Sequence, residues 1–231
     1  MAQEENKLQF VDVSIKLRGE RLIEQFSLTV GPGEITTVMG PSGSGKSTLL
    51  AFACGTLDPV FSEKGQVFIN GINITHFPPE KRRMGILFQD DLLFPHLSVG
   101  ENLAFGLPRN LSRDERRARI DDALADADME KFAERDPATL SGGQRARIAL
   151  LRTLAAEPRV LLLDEPFSKL DVKLREKFRR FVFQHAIEQS LPTLLVTHDP
   201  ADAAAAGGPM SEISSTLESE FSMMRSPPQV E

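Results

Sequence analysis

The sequence predicts an α/β fold: a largely parallel sheet, covered on both faces, interrupted by a helical insertion. Three observations predict it. Short apolar strands alternate with helical stretches along the chain. One β-branched run, ITTVMG, passes through a glycine-rich segment straight into a helix. Between residues 98 and 131 the composition changes to Arg, Asp, Glu, Ala and Leu with few β-branched residues, which reads as helices broken near Pro108.

The elements follow in order. Residues 8–17 (LQFVDVSIKL) alternate as a half-buried strand, and 26–30 (FSLTV) form a second before the turn at Gly31, Pro32 and Gly33. ITTVMG ends on Gly40, and the helix after the glycine loop starts near Ser47. Residues 66–70 (QVFIN) with Gly71 give a strand and turn, and 84–88 (MGILF) a buried strand. Helical pattern resumes over 143–156, a compact strand VLLL occupies 160–163, and 173–189 forms an amphipathic helix. On that helix Leu174, Phe178, Phe181 and Val182 recur at helical spacing and belong to the core. TLLVTHD supplies the last expected strand, and beyond Pro200 the pattern degrades into a weakly ordered tail.

Composition bounds the functions. The 231 residues carry 27 basic and 33 acidic side chains, a net charge of −6, which argues against nucleic acid as a partner. The single cysteine, Cys54, leaves no internal disulfide and no cysteine zinc cluster, as a reducing compartment would favour. The opening MAQEENKLQF lacks the basic start and apolar stretch of an export signal, and no apolar run approaches the ~20 residues that span a bilayer. His76, His96 and His185 read as solvated turn or helix-surface residues.

Residues 40–47, GPSGSGKS, satisfy G-x-x-x-x-G-K-[ST] after a strand and before a helix. The glycines let backbone N–H groups turn inward around phosphate oxygens, the helix start adds favourable potential, Lys46 reaches the terminal phosphates and the Ser47 hydroxyl can ligate Mg²⁺. VLLLDE at 160–165 places Asp164 at the strand's C-terminal end to hold Mg²⁺ through water, and Glu165 where it can polarise an attacking water. LSGGQ at 140–144 opens another helix. Taken alone it is an ordinary capped helix start; beside the other motifs it is a second anion-binding start.

Taken together, GPSGSGKST (40–48), Gln89 after the MGILF strand, LSGGQ (140–144), VLLLDEP (160–166), the loop Ser168, Lys169, Leu170, Asp171, and His198 after TLLVT resemble the nucleotide-binding subunits of ABC transporters. The likeness covers about residues 8 to 200. The segment FQDDLLFPHLSVGENLAFGL (88–107) is further similar to ATPase subunits of bacterial importers of the maltose, polyamine, sulfate and thiamine type. The resemblance implies a phosphate-loop NTPase with an N-terminal antiparallel β subdomain, ATP and Mg²⁺ as cofactors, and a head-to-tail dimer of two copies sandwiching two ATP molecules. The domain boundaries expected are 1–88 plus 157–205 for the ATP-binding core, 89–156 for the helical subdomain and 206–231 for the tail.

By the same resemblance, Gly40, Pro41, Ser42, Gly43, Ser44, Gly45, Lys46, Ser47 and Thr48 cradle the nucleotide. Ser141, Gly142, Gly143 and Gln144 meet the partner's ATP, with Ser141 and Gly143 on its γ-phosphate. Glu165 is the general base, His198 contacts the γ-phosphate, and Gln89 senses Mg²⁺ and the attacking water. Ser47, Gln89 and Asp164 form the metal set, and Asp171 lies in a loop coupling the two sites. Partners implied are transmembrane permease subunits, a second copy of the chain and, indirectly, a solute-binding protein, with the chain peripheral on the cytoplasmic face of the cell membrane.

Residues 90–107 form the expected groove for the permease, with Leu92, Leu93, Phe94, Pro95 and Leu97 either docking it or packing the insertion's own core. Export by a separate ATPase subunit stays open beside import. A DNA-repair ATPase would carry sustained heptads between Lys46 and Ser141, and none occur. A ribosome-associated factor would show two cassettes, and a nucleotide kinase would have no use for LSGGQ. The family places an adenine-stacking aromatic at a position that falls on Leu17 or Arg18, and the chain has 15 Phe but no Tyr or Trp. Weak discrimination of ATP from GTP is the expectation. No C-terminal regulatory domain of the maltose type is expected.

Overall fold

The computed structural model describes residues 6–88, 90 and 92–213. Strands β1 (Leu8–Leu17) and β2 (Glu20–Val30) form a hairpin, closed by a turn in which Arg18 and Gly19 both take positive φ. It joins β4 (Phe61–Ile69) and β5 (Ile72–Asn73) in an antiparallel sheet of order β2-β1-β4-β5. The second strand is longer than FSLTV alone suggested, because Glu20, Arg21 and Ile23 continue the pairing with β1 through irregular register.

The second sheet is parallel: β3 (Ile35–Met39), β6 (Met84–Leu87), β7 (Val160–Asp164), β8 (Thr193–Thr197) and β9 (Met210–Glu212), in order β6-β7-β8-β3-β9. All five residues of β7 are buried, as a strand covered on both faces requires. Val160 and Leu162 face the cluster holding the antiparallel sheet and helix α1 (Lys46–Cys54). Leu161 and Leu163 face Phe178, Val182 and Phe183 of α6 (Val172–Glu188), with Phe167 edge-on to two of those rings.

Between these halves stand α2 (Pro79–Arg82) and the insertion: α3 (Val99–Gly106), α4 (Arg113–Asp126), a short 3₁₀ turn and α5 (Gly142–Ala155). The insertion has its own core of Val99, Leu103, Leu124, Met129, Leu140, Ile148 and Leu151. Ser98, Ser112 and Ser141 each start a helix with a full capping box, using Glu101, Glu115 and Gln144.

The reading of a weakly ordered stretch after Pro200 is corrected. Residues Pro200–Ala206 form α7, capped by Asp199, and β9 adds a fifth strand beside β3. Ile213 is 5% exposed and its amide donates to Met39 O at 2.8 Å. Three consecutive strand residues are too few for periodicity to register. Residues 214–231 lie outside the described residues. His185 is also corrected: it is half-buried against Phe181, and burial lowers its pKa. Among the described residues no helix is long and apolar enough to cross a membrane.

Candidate active site

The parallel sheet delivers its chemistry at the strand ends. Beyond β3 the chain turns through Gly40, Pro41, Ser42, Gly43, Ser44 and Gly45 before Lys46, Ser47 and Thr48 open α1. Gly45, at φ 95°, occupies the cap position and supplies no side-chain bond to the first amides of α1. The helix therefore presents its N–H groups and partial positive charge to whatever the loop encloses. Lys46 is 5% exposed, and its Nζ donates to Gly40 O at 2.7 Å and Pro41 O at 2.8 Å. Ser44 Oγ is buried, and among the described residues it has no hydrogen-bond partner. Leu22 and Ile23 of the hairpin press on Gly45: a Cβ there would stand 2.8 Å from Leu22 Cγ.

Asp164 ends β7 with 9% exposure, with the Ser47 side chain beside it. Burial raises its pKa, the Glu165 charge adds to the rise, and Ser47 and Lys46 oppose it. Glu165 follows at φ 47°, a left-handed conformation that costs energy in a residue with a Cβ, held by its amide bond to Val196 O at 2.9 Å. The twist brings Glu165 Oε1 within 3.0 Å of His198 Nδ1, just past the end of β8. Two strands adjacent in the sheet but distant in sequence thus bring an acid and an imidazole into contact.

The structure brings Ser47 to Asp164 and Glu165 to His198, and Lys46 lies within Coulombic reach of Asp164. It keeps 141–144 apart: among the described residues no hydrogen bond joins them to the phosphate loop. Ser141 Oγ instead accepts from Gln144 N at 3.3 Å, and Gln144 Oε1 accepts from Ser141 N at 2.9 Å. Gly143 packs where a Cβ would stand 2.0 Å from Leu174 Cδ2, whereas Gly142 has only Arg145 within 4 Å. Asp171 caps α6 by accepting from Leu174 N at 3.1 Å. Gln89, expected in the metal set, lies outside the described residues. Leu17 ends β1 at 37% exposure, with Arg18 in the adjoining turn.

The 90–107 segment divides between its two readings. Leu92 is 56% and Phe105 68% exposed, and Phe94 packs at a tilt against Phe105, ring centroids 4.6 Å apart. Leu93 packs instead against both neighbouring cores.

Some residues that shape the site escaped sequence reading. Asn102, fully buried, accepts from Phe94 N and donates to the carbonyls of Phe94, Leu97 and Ser98, clamping this loop onto α3. Arg82 is 5% exposed and donates to Phe52 O and Ala53 O at the end of α1, and to Thr75 O and Phe77 O. It ties the phosphate-loop helix to the segment after β5. Beside it, burial pushes the Cys54 thiol up to about 11, which makes that residue core rather than nucleophile.

A parallel sheet with a glycine loop and strand-end acids defines a phosphate-loop nucleotide hydrolase. The chain belongs to the ABC transporter family, whose family model matches residues 23–168. Among its relatives is the uncharacterized ABC transporter ATP-binding protein YnjD of Escherichia coli (strain K12), 49% identical over 194 residues, 84% of this chain and 89% of that protein. The sulfate/thiosulfate import ATP-binding protein CysA of Mycobacterium bovis (strain ATCC BAA-935 / AF2122/97) is 44% identical over 182 residues, covering 78% of this chain and 51% of CysA. The Fe(3+) ions import ATP-binding protein FbpC of Escherichia coli O157:H7 is 38% identical over 203 residues, 87% of this chain and 58% of FbpC. The chain thus spans about half the length of these two importer proteins. The dimeric structure of the bacterial ABC transporter cassette MJ0796 aligns with a TM-score of 0.76 at 31% identity, covering 90% of this chain and 94% of that one. The family and fold expected from the motifs are borne out.

Proposed function

We propose that the chain is the ATP-binding and ATP-hydrolysing subunit of an importer, working as a head-to-tail dimer on the cytoplasmic face of a membrane permease. The observation that carries this is the contact between Glu165 and His198, 3.0 Å apart, beside the uncapped start of α1. In this reading the first amides of α1 receive phosphate oxygens, and Lys46 exchanges its bonds to Gly40 O and Pro41 O for the terminal phosphates. Ser141, Gly142, Gly143 and Gln144 complete the partner's site, and Leu17 or Arg18 lies under the base.

Ser47 and Asp164 fit Mg²⁺. A hydroxyl and a buried carboxyl side by side are hard oxygen donors beside a phosphate cradle, the setting in which Mg²⁺ keeps most of its waters. When bound it neutralises phosphate charge, and Gln89 belongs to the same set. The protein's own step is proton transfer. Glu165 takes a proton from water as the water oxygen bonds the γ-phosphorus and the bond to the β,γ-bridging oxygen breaks. His198 orients Glu165 through the Nδ1 contact and offers its outer ring nitrogen to the γ-phosphate.

The names of CysA and FbpC favour import over export. The exposed Leu92 and Phe105, with Phe94 between them, support a permease-docking surface. The test is ATPase activity of the assembled transporter, isolated with its membrane partners identified. Glu165→Gln is expected to abolish turnover while ATP-bound dimers accumulate. Full turnover in that variant overturns the assignment of the base, and recovery of ribosomes or DNA without a membrane subunit overturns the transport role.

A further inference from the structure

Two arginines one turn apart on α6 reach two aspartates three residues apart at α7. In the inner pair Arg179 Nε stands 2.9 Å from Asp202 Oδ1, side chains 13% and 4% exposed, and Thr197 Oγ1 donates to the other Asp202 oxygen. Arg179 also donates to Ala201 O at 3.1 Å. The hydrogen bonds of this pair go to Ala201 in α7 and Thr197 at the end of β8.

The outer pair is placed differently. Arg175 donates to Asp199 Oδ2 at 2.7 Å, and Asp199 is the residue after His198. The second Asp199 oxygen caps α7 at Ala201 N (2.8 Å), while the Asp199 amide donates to Thr197 Oγ1 (3.0 Å). At its other end Arg175 is anchored in the loop 168–171. Its amide donates to Asp171 O at 2.8 Å, and its second terminal nitrogen reaches Leu170 O at 3.4 Å. That loop in turn starts from Glu165, whose carbonyl accepts from the amide and hydroxyl of Ser168. One side chain therefore closes a circuit from Glu165, through 168–171, to the corner bearing His198.

We propose that Arg175 is a positioning residue that registers His198 against Glu165 by fastening the Asp199 corner to the 168–171 loop. His198 needs such a fastening. Its side chain is 57% exposed, and among the described residues Glu165 is its only hydrogen-bond partner. Arg179 is the built-in control, because among the described residues it holds α7 without a hydrogen bond to the 168–171 loop or to Asp199.

The inference rests on the hydrolase reading above, and two measurements keep their failures apart. In the assembled transporter, Arg175→Ala is expected to lower kcat about tenfold with KM for ATP within about twofold, since positioning acts on the transition state. Arg175→Lys, which keeps the pair with Asp199, recovers most of the loss. Arg179→Ala lowers Tm more and kcat less. Unchanged kcat in Arg175→Ala, a KM rise matching the kcat fall, or no recovery with lysine overturns the proposal. In the full chain without nucleotide, Arg175→Ala is expected to speed amide exchange across 199–206, and unchanged exchange there overturns it independently of turnover. Wild-type protein without turnover, or full turnover in Glu165→Gln, counts against the hydrolase reading alone.

Discussion

Two helix starts carry the motifs that first mark this chain, and they are built in opposite ways. At α1 the cap is Gly45, without a side-chain bond, and the cation Lys46 is folded onto the loop's own carbonyls. At α5 Ser141 and Gln144 close a capping box on the helix's own amides. The first start leaves its donors for a ligand and draws stability from the sheet and core around it. The second is half closed: its box satisfies the Ser141 and Gln144 amides and leaves those of Gly142 and Gly143 outside it. A glycine-rich signature therefore does not imply an uncapped helix start.

Substitutions can break this contrast. Lys46→Ala is expected to have the largest effect, lowering turnover by about 10²-fold or more with far-UV circular dichroism unchanged. A loss of helix signal would mean that α1 depends on its own lysine as α5 depends on its serine. Next is Gly143→Ala, whose Cβ meets Leu174 Cδ2 at 2.0 Å and Leu170 Cδ2 at 3.3 Å. Overpacking there costs ~1–3 kcal/mol in urea unfolding, whereas Gly142→Ala, whose Cβ meets Arg145 at an ordinary 3.9 Å, is neutral or stabilising by up to ~1 kcal/mol. Equal costs at the two glycines would erase the distinction drawn between them. A smaller cost than that of Gly143→Ala is expected of Ser141→Ala, which loses the cap at ~1 kcal/mol, or ~2–4 °C in Tm for a domain of this size.

The motifs were legible because each is local: a loop between strand and helix, or an acid ending a strand, is written in consecutive residues. The two-faced burial of VLLL and the helical insertion were legible for the same reason, through period and composition. What sequence could not yield was pairing between distant residues. Gly143 reads as a phosphate glycine, yet its neighbours Leu170 and Leu174 come from the loop before α6 and its first turn. Arg82 and Asn102 look like surface polar residues until tertiary packing buries them and backbone carbonyls gather around them. β9 was missed because three residues of strand leave no period to detect.

That short strand has a consequence for the phosphate loop. A Cβ on Gly40 would stand 2.5 Å from Ile213 O, and Ile213 is fastened to Met39 by its amide. The residue that opens the nucleotide loop thus rests on a backstop supplied by the far end of the described chain. A fusion or insertion that lifts 210–213 by one residue would move that backstop while leaving every recognisable motif intact. The clearance of the phosphate loop can be tuned from a stretch that carries none of the family's signatures.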